Sequence, residues 1–132
     1  FSPVEYRRIT DVINPLPYQK VYYSYVSYKE PKAFNKCAKK LLEEAIDFDL
    51  KDYTVLLFTG IENSSNFKHY LIDTYKEVVS SDFKDHHVFS IAELLRIIKD
   101  FRGIYSKKKI IITTEKDSMR LKDERLFPIL TD

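Results

Sequence analysis

Asp85-His86-His87 sets two imidazoles directly beside a carboxylate. A neighbouring carboxylate holds an imidazole in one tautomer and raises its basicity, which suits a general base or a proton relay. The triplet equally fits a solvated polar loop that caps the helix after it, so taken alone it leaves both readings open. Thr113-Thr114-Glu115-Lys116-Asp117 is the second cluster. Its hydroxyls and helix N-terminal amides offer an anion contact, or Thr114 simply N-caps a helix whose acidic first turn suits the dipole. The third is Gly60-Ile61-Glu62-Asn63, a tight turn in which Gly60 lets the backbone approach a ligand or a neighbouring domain, or merely satisfies local geometry. No metal site is expected in this chain: adjacent histidines usually point apart, Cys37 is distant, and no further ligands recur at metal-binding spacing. His69, on a helical stretch, reads as structural or surface-exposed.

These clusters need a scaffold, and hydrophobic periodicity supplies one. Tyr53–Gly60 is almost wholly apolar and ends on glycine, as a buried parallel strand does. Asn63-Ser64-Ser65 offers N-cap groups for a helix carrying Phe67, Tyr70, Leu71 and Tyr75. Val78 and Val79 suggest a short strand before the Asp85 loop. Ser90 and Glu93 form a capping box ahead of Ile91, Leu94, Leu95, Ile98 and Phe101 at helical spacing, with Gly103 placed to stop that helix. Lys109–Thr114 reads as another buried strand, Glu115-Lys116-Asp117 as a helix start, and Phe127–Leu130 as the start of a last strand. Upstream, Ala38, Leu41, Leu42, Ala45 and Ile46 recur at helical spacing. Val21–Tyr28, rich in β-branched and aromatic residues, reads as a strand with aromatics on both faces. Residues 1–19, punctuated by Pro3, Pro15 and Pro17, read as a connector with room for one short helix.

The order β, α, β, α, β, α, β implies an α/β fold: a three-layer, mostly parallel, Rossmann-like sheet with helices on both faces. Residues 1–30 form a connector with its Tyr-rich strand, and residues 31–132 the α/β domain. Ligands of such sheets gather outside the carboxyl ends of the strands. All three polar clusters fall at or near such ends.

Composition closes off several functions. The 132 residues carry 22 basic and 20 acidic side chains, a net +2 that gives no broad field for nucleic acid. The Tyr-rich stretch lacks interleaved Lys or Arg, so it reads as core and interface rather than a base-stacking platform. No apolar run approaches the roughly 20 residues of a membrane helix. One cysteine cannot form an internal disulfide, which suits a reducing compartment. The opening Phe1-Ser2-Pro3, without Met, suggests an excised or processed product. With only Gly60 and Gly103, the chain has neither glycine spacing needed for a P-loop or a dinucleotide fingerprint.

Taken together, the motifs resemble one family. Leu56–Asn63 resembles the AGIGNP turn of tetraacyldisaccharide 4'-kinases, which phosphorylate a lipid A precursor. Phe83–Phe89 resembles their FPDHHPY/F segment, and Thr113–Leu121 their TTEKDAVKL segment. The stretch from Phe1 to Tyr28 is similar to the region joining that family's two domains. Glu62, Ser64 and Lys84 depart from the family pattern without removing a chemically active group.

The resemblance implies a C-terminal domain whose partner is an N-terminal P-loop domain of the same polypeptide. That domain would hold ATP and Mg2+, with no cofactor expected on this chain by itself. The substrate implied is the lipid A disaccharide precursor, met at the cytoplasmic face of the bacterial inner membrane. The family pairs a histidine of the Asp-His-His segment with an aspartate of the other domain to deprotonate the attacking hydroxyl. By resemblance that is His86 or His87, with His86 favoured and Asp85 orienting it. Gly60, Asn63, Thr113, Thr114, Glu115, Lys116 and Asp117 would line the interdomain cleft.

Two other functions compete. A metal-dependent phosphoesterase of the DHH type shares the triplet, but needs further spaced aspartates and a glycine-rich segment. A non-catalytic α/β interaction module would turn the same polar loops toward a partner.

Overall fold

A computed structural model describes residues 2–44 and 49–130. The helices are α1 (Pro3–Ile13), α2 (Lys36–Glu44), α3 (Ser65–Thr74), α4 (Ile91–Gly103) and α5 (Glu115–Arg120). Strands β1 (Thr54–Thr59), β2 (Glu77–Asp82) and β3 (Lys109–Ile112) form one sheet in the order β2-β1-β3. Both pairings are parallel: Thr54 lies opposite Glu77 and Lys109, and Leu57 opposite Ser80 and Ile112. The α/β class and its open parallel sheet are therefore as the hydrophobic pattern implied.

The central strand is buried along its whole length, which explains why its sequence is continuously apolar. Its alternation sorts the core into two layers. Val55 and Leu57 pack with Leu71 and Tyr75 at the α3 face. Leu56 and Phe58 pack with Phe89, Leu94, Ile97 and Leu121 at the face covered by α4 and α5. Each such side chain contributes about 1.5–3 kcal/mol relative to exposure. The helix α4 starts at the Ser90/Glu93 capping box and stops at Gly103, as its sequence signals require. Its buried stripe is Leu94 and Ile97, while Ile91 and Leu95 of the expected stripe are exposed.

Several expectations are corrected. Residues 21–28 join no sheet: Tyr22 and Tyr25 stand 83% and 85% exposed, and no strand edge pairs with them. A run of β-formers becomes a strand only when a partner accepts its backbone hydrogen bonds. Here ring contacts tie the segment instead, with Tyr23 edge-on to Tyr6 of α1 and Tyr28 stacked on Phe67 and Tyr70 of α3. Phe127–Leu130 is a 3-10 turn rather than a strand. The Leu126 and Phe127 N–H groups donate to the Asp123 carbonyl, and Pro128 has no N–H for a ladder. The connector's helix, α1, runs 11 residues from a Ser2/Glu5 capping box. Ala45 and Ile46 lie outside the described residues.

The strand order has a direct consequence for function. From β1 the chain crosses to β2 on one side, then passes back over to β3 on the other. Between β1 and β3 the connections diverge to opposite faces, and the crevice at their carboxyl ends is where such sheets bind ligands.

Candidate functional site

Three loop ends meet at that carboxyl edge, around the side chain of Asp117. Asp117 is fully buried, although it belongs to a six-residue helix at the surface. Its Oδ2 accepts from the Gly60 backbone N–H at 3.0 Å and from the Thr114 hydroxyl at 2.7 Å. Its Oδ1 accepts from Arg120 Nη1 at 3.1 Å. One carboxylate thus fastens the end of β1 to the loop after β3. A buried charge held by three donors, one of them cationic, meets the requirement that buried ions be paired and hydrogen-bonded.

The loop after β2 is added by contact with the other two. A Cβ on Gly60 would lie 3.2 Å from His87 Cβ, 3.3 Å from Asp117 Oδ1 and 3.4 Å from the Lys84 carbonyl. Gly60 is needed here for close approach; its φ is not positive. Arg120 reaches the same loop, with Nη1 3.4 Å from the His87 carbonyl and Nη2 3.3 Å from His86 Nδ1.

Within this loop the two histidines have different surroundings. His86 sits in the left-handed region at φ 58°, a conformation costing a non-glycine residue about 1–2 kcal/mol. Its side chain is 73% exposed, and Nε2 lies 3.2 Å from Asp85 Oδ2. Lys116 Nζ approaches the other Asp85 oxygen at 3.5 Å. Partial desolvation pushes the Asp85 carboxyl up, but the His86 backbone N–H, the His86 ring and Lys116 together hold it below the ordinary carboxylate range.

His87 is turned inward. Its ring packs 4.8 Å from that of Phe83 and 5.1 Å from Phe89, and Nε2 meets Glu93 Oε1 at 3.0 Å. Glu93 is held at about 2, first by the Ser90 backbone N–H, then by the Ser90 hydroxyl and by His87. As an ionised acceptor it takes the proton of His87 Nε2. The capping box that starts α4 therefore also anchors this ring. His87 props the loop; His86 faces outward.

Of the residues named from sequence, Gly60, Asp85, His86, His87, Thr114, Lys116 and Asp117 come together. Thr113 lies beside them, its hydroxyl donating to the Phe58 carbonyl at 2.8 Å. The Thr114 hydroxyl also accepts from the Asp117 N–H at 3.1 Å, so it caps α5. Glu115 is exposed in the first turn of that helix. Asn63 stands apart, its Oδ1 accepting from the Ser65 N–H at the start of α3, and His69 is exposed on α3. Arg120 and the second role of Glu93 were not singled out in the sequence. Asp117 and Arg120 do stand at i, i+3 on a helix, but that spacing ordinarily marks a surface pair. Among the described residues no group of three or more His, Cys, Asp or Glu could hold a metal ion. Nor is any described helix long and apolar enough to cross a membrane.

Comparison with known proteins follows the same residues. The family profile for tetraacyldisaccharide-1-P 4'-kinase matches residues 12–130. A tetraacyldisaccharide 4'-kinase of Bacteroides fragilis is 32% identical over 98% of this chain and 36% of its own length. Its counterpart in Bacteroides thetaiotaomicron is 30% identical over 91% of this chain and 33% of its own. The Aliarcobacter butzleri protein of that name is 33% identical over 75% of this chain and 33% of its own. The chain thus spans about a third of the length of these relatives. No solved structure matches it. The profile runs through the Gly60, Asp85-His86-His87 and Thr114–Asp117 segments alike, and the chain belongs to the tetraacyldisaccharide-1-P 4'-kinase family.

Proposed function

We propose that this chain is the C-terminal part of an ATP-dependent kinase that phosphorylates the 4'-hydroxyl of the tetraacyldisaccharide 1-phosphate precursor of lipid A. The observation that carries the reading is His86. It is exposed at the crevice between β1 and β3, held at φ 58° with Asp85 at one ring nitrogen and Arg120 at the other. A surface loop gains nothing in stability from a strained, outward-facing imidazole, and such strain clusters where geometry serves chemistry.

Phosphoryl transfer depends chiefly on positioning and on neutralising charge. In this reading a P-loop domain of the same polypeptide binds ATP and Mg2+, since the two glycines here cannot build the phosphate cradle. The described residues offer no magnesium site either. This domain closes over the bound nucleotide and brings His86 beside a carboxylate of the other domain, and that pair deprotonates the acceptor hydroxyl. Asp85 orients the ring, and Lys116 adds positive charge at the cleft rim. Reaction takes place at the cytoplasmic face of the inner membrane, and the 132 residues alone have no activity.

The test is transfer of the γ-phosphate from ATP to the disaccharide lipid by the full-length protein. His86→Ala is expected to lower kcat by about 10²-fold or more, the scale of a positioned acid–base group. A full-length protein that leaves the lipid unphosphorylated while folded and binding ATP would refute the assignment.

A further inference from the structure

Arginine has five N–H donors and no acceptor. Whatever nitrogen faces it must therefore offer a lone pair. Arg120 Nη2 stands 3.3 Å from His86 Nδ1, so in the neutral ring the proton sits on Nε2. That is the nitrogen 3.2 Å from Asp85 Oδ2, a carboxylate oxygen able to accept it. The two contacts agree on one tautomer. Arg120 in turn is fixed from below by the buried Asp117, through Nη1 at 3.1 Å, and its side chain is only 25% exposed. Asp117 is itself locked by the Gly60 N–H and the Thr114 hydroxyl. A continuous line of hydrogen bonds thus runs from the end of β1, through Asp117 and Arg120, to the exposed imidazole.

We infer that Arg120 is a positioning residue: it sets His86 in the Nε2–H tautomer, with that N–H directed in the resting protein at the Asp85 carboxylate. This deepens the proposed function and rests on it for its catalytic consequence, while the tautomer itself is a property of the resting protein. In the proposed reaction the same N–H passes from Asp85 to the carboxylate of the other domain, while the lone pair stays turned toward the guanidinium. The flat fork suits the task, since one nitrogen can grip Asp117 while the other reaches the ring. A lysine ammonium, such as the family segment carries at this position, supplies a donor without that fork.

The experiment uses full-length protein labelled with nitrogen-15 at histidine, read by long-range proton–nitrogen correlation and by steady-state kinetics. The wild type is expected to show His86 Nε2 protonated and Nδ1 bare. Arg120→Met is expected to mix the tautomers and lower kcat about 10- to 10²-fold, the usual cost of a misplaced group. KM for ATP should stay within about twofold, because the residue touches no nucleotide in this reading. Arg120→Lys should recover part of kcat. Should the Met variant fail to fold, Arg120→Gln, too short to reach Nδ1 from the same backbone, takes its place with the same expectation. A His86 ring protonated at Nδ1 in the wild type, or a tautomer unmoved by loss of Arg120, overturns the inference. Full activity of His86→Ala together with the expected tautomers would instead remove the catalytic reading and leave the Arg120 contact standing.

Discussion

Replacing Asp117 by Asn changes one atom and removes one charge from the point where the three loops are fastened. The carboxylate accepts from Gly60 and Thr114 at Oδ2 and from Arg120 at Oδ1. An amide has only one acceptor. If its NH2 takes the Oδ2 position it faces the Gly60 N–H, donor against donor; at the Oδ1 position it faces the guanidinium. Either way a buried donor is orphaned, costing about 1–3 kcal/mol, and a charge-assisted bond worth about 1.5–3 kcal/mol is lost or weakened. Water reaches Arg120, which is a quarter exposed, and recovers part of this. The expected loss is therefore about 2–4 kcal/mol. Urea unfolding of the chain measures it, followed by far-ultraviolet circular dichroism because there is no Trp. A double-mutant cycle with Arg120→Met should return a coupling of at least about 1 kcal/mol. A loss below about 1 kcal/mol with no coupling would refute the view that Asp117 fastens the site.

Two further outcomes follow from the same geometry. Gly60→Ala sets a methyl 3.2 Å from His87 Cβ and 3.3 Å from Asp117 Oδ1, so the neighbours must give by a few tenths of an ångström. Destabilisation of about 1–2 kcal/mol is expected in urea unfolding, and an unchanged midpoint would contradict the close approach. Glu93 is depressed from 4.5 to about 2 in the fold, so its contribution is fully present above pH 4.5 and is lost as pH falls toward 2. Glu93→Gln should be less stable than the wild type at pH 6, with the gap narrowing below pH 4.5 and closing only as pH falls through about 2; a gap that does not narrow in acid would count against the ionised cap.

The central part of the fold was legible because its sequence signals are local and mutually consistent. β1 is continuously apolar and buried, and α4 carries a complete capping box at one end and Gly103 at the other. Toward the ends of the chain the structure departs from the local sequence signals for a physical reason. Val21–Tyr28 has the composition of a strand, but strand formation is decided by a partner edge that composition does not encode. Phe127–Leu130 has apolar residues at the right density, yet the Phe127 N–H donates to the Asp123 carbonyl and the Ile129 N–H to the Leu126 carbonyl, which closes a turn. The site was half legible. Parallel topology alone brings Gly60, Asp85-His86-His87 and Thr114–Asp117 to one edge. What topology leaves open is which imidazole turns outward, because that rests on Phe83, Phe89 and Glu93 holding His87 and on Arg120 meeting His86. Arg120 carried no distinguishing sequence signal, since an Asp–Arg pair three apart on a short helix looks like any solvated ion pair.

The division of labour between the two imidazoles admits a direct measurement: kcat of full-length His86→Ala beside that of His87→Gln, at saturating ATP and lipid. The account predicts a fall of about 10²-fold or more for the outward ring. For the inward one, whose amide can still meet Glu93, the fall should be about tenfold or less and accompanied by lost thermal stability. The opposite ranking, with His86→Ala near normal and His87→Gln inactive yet fully folded, would contradict it.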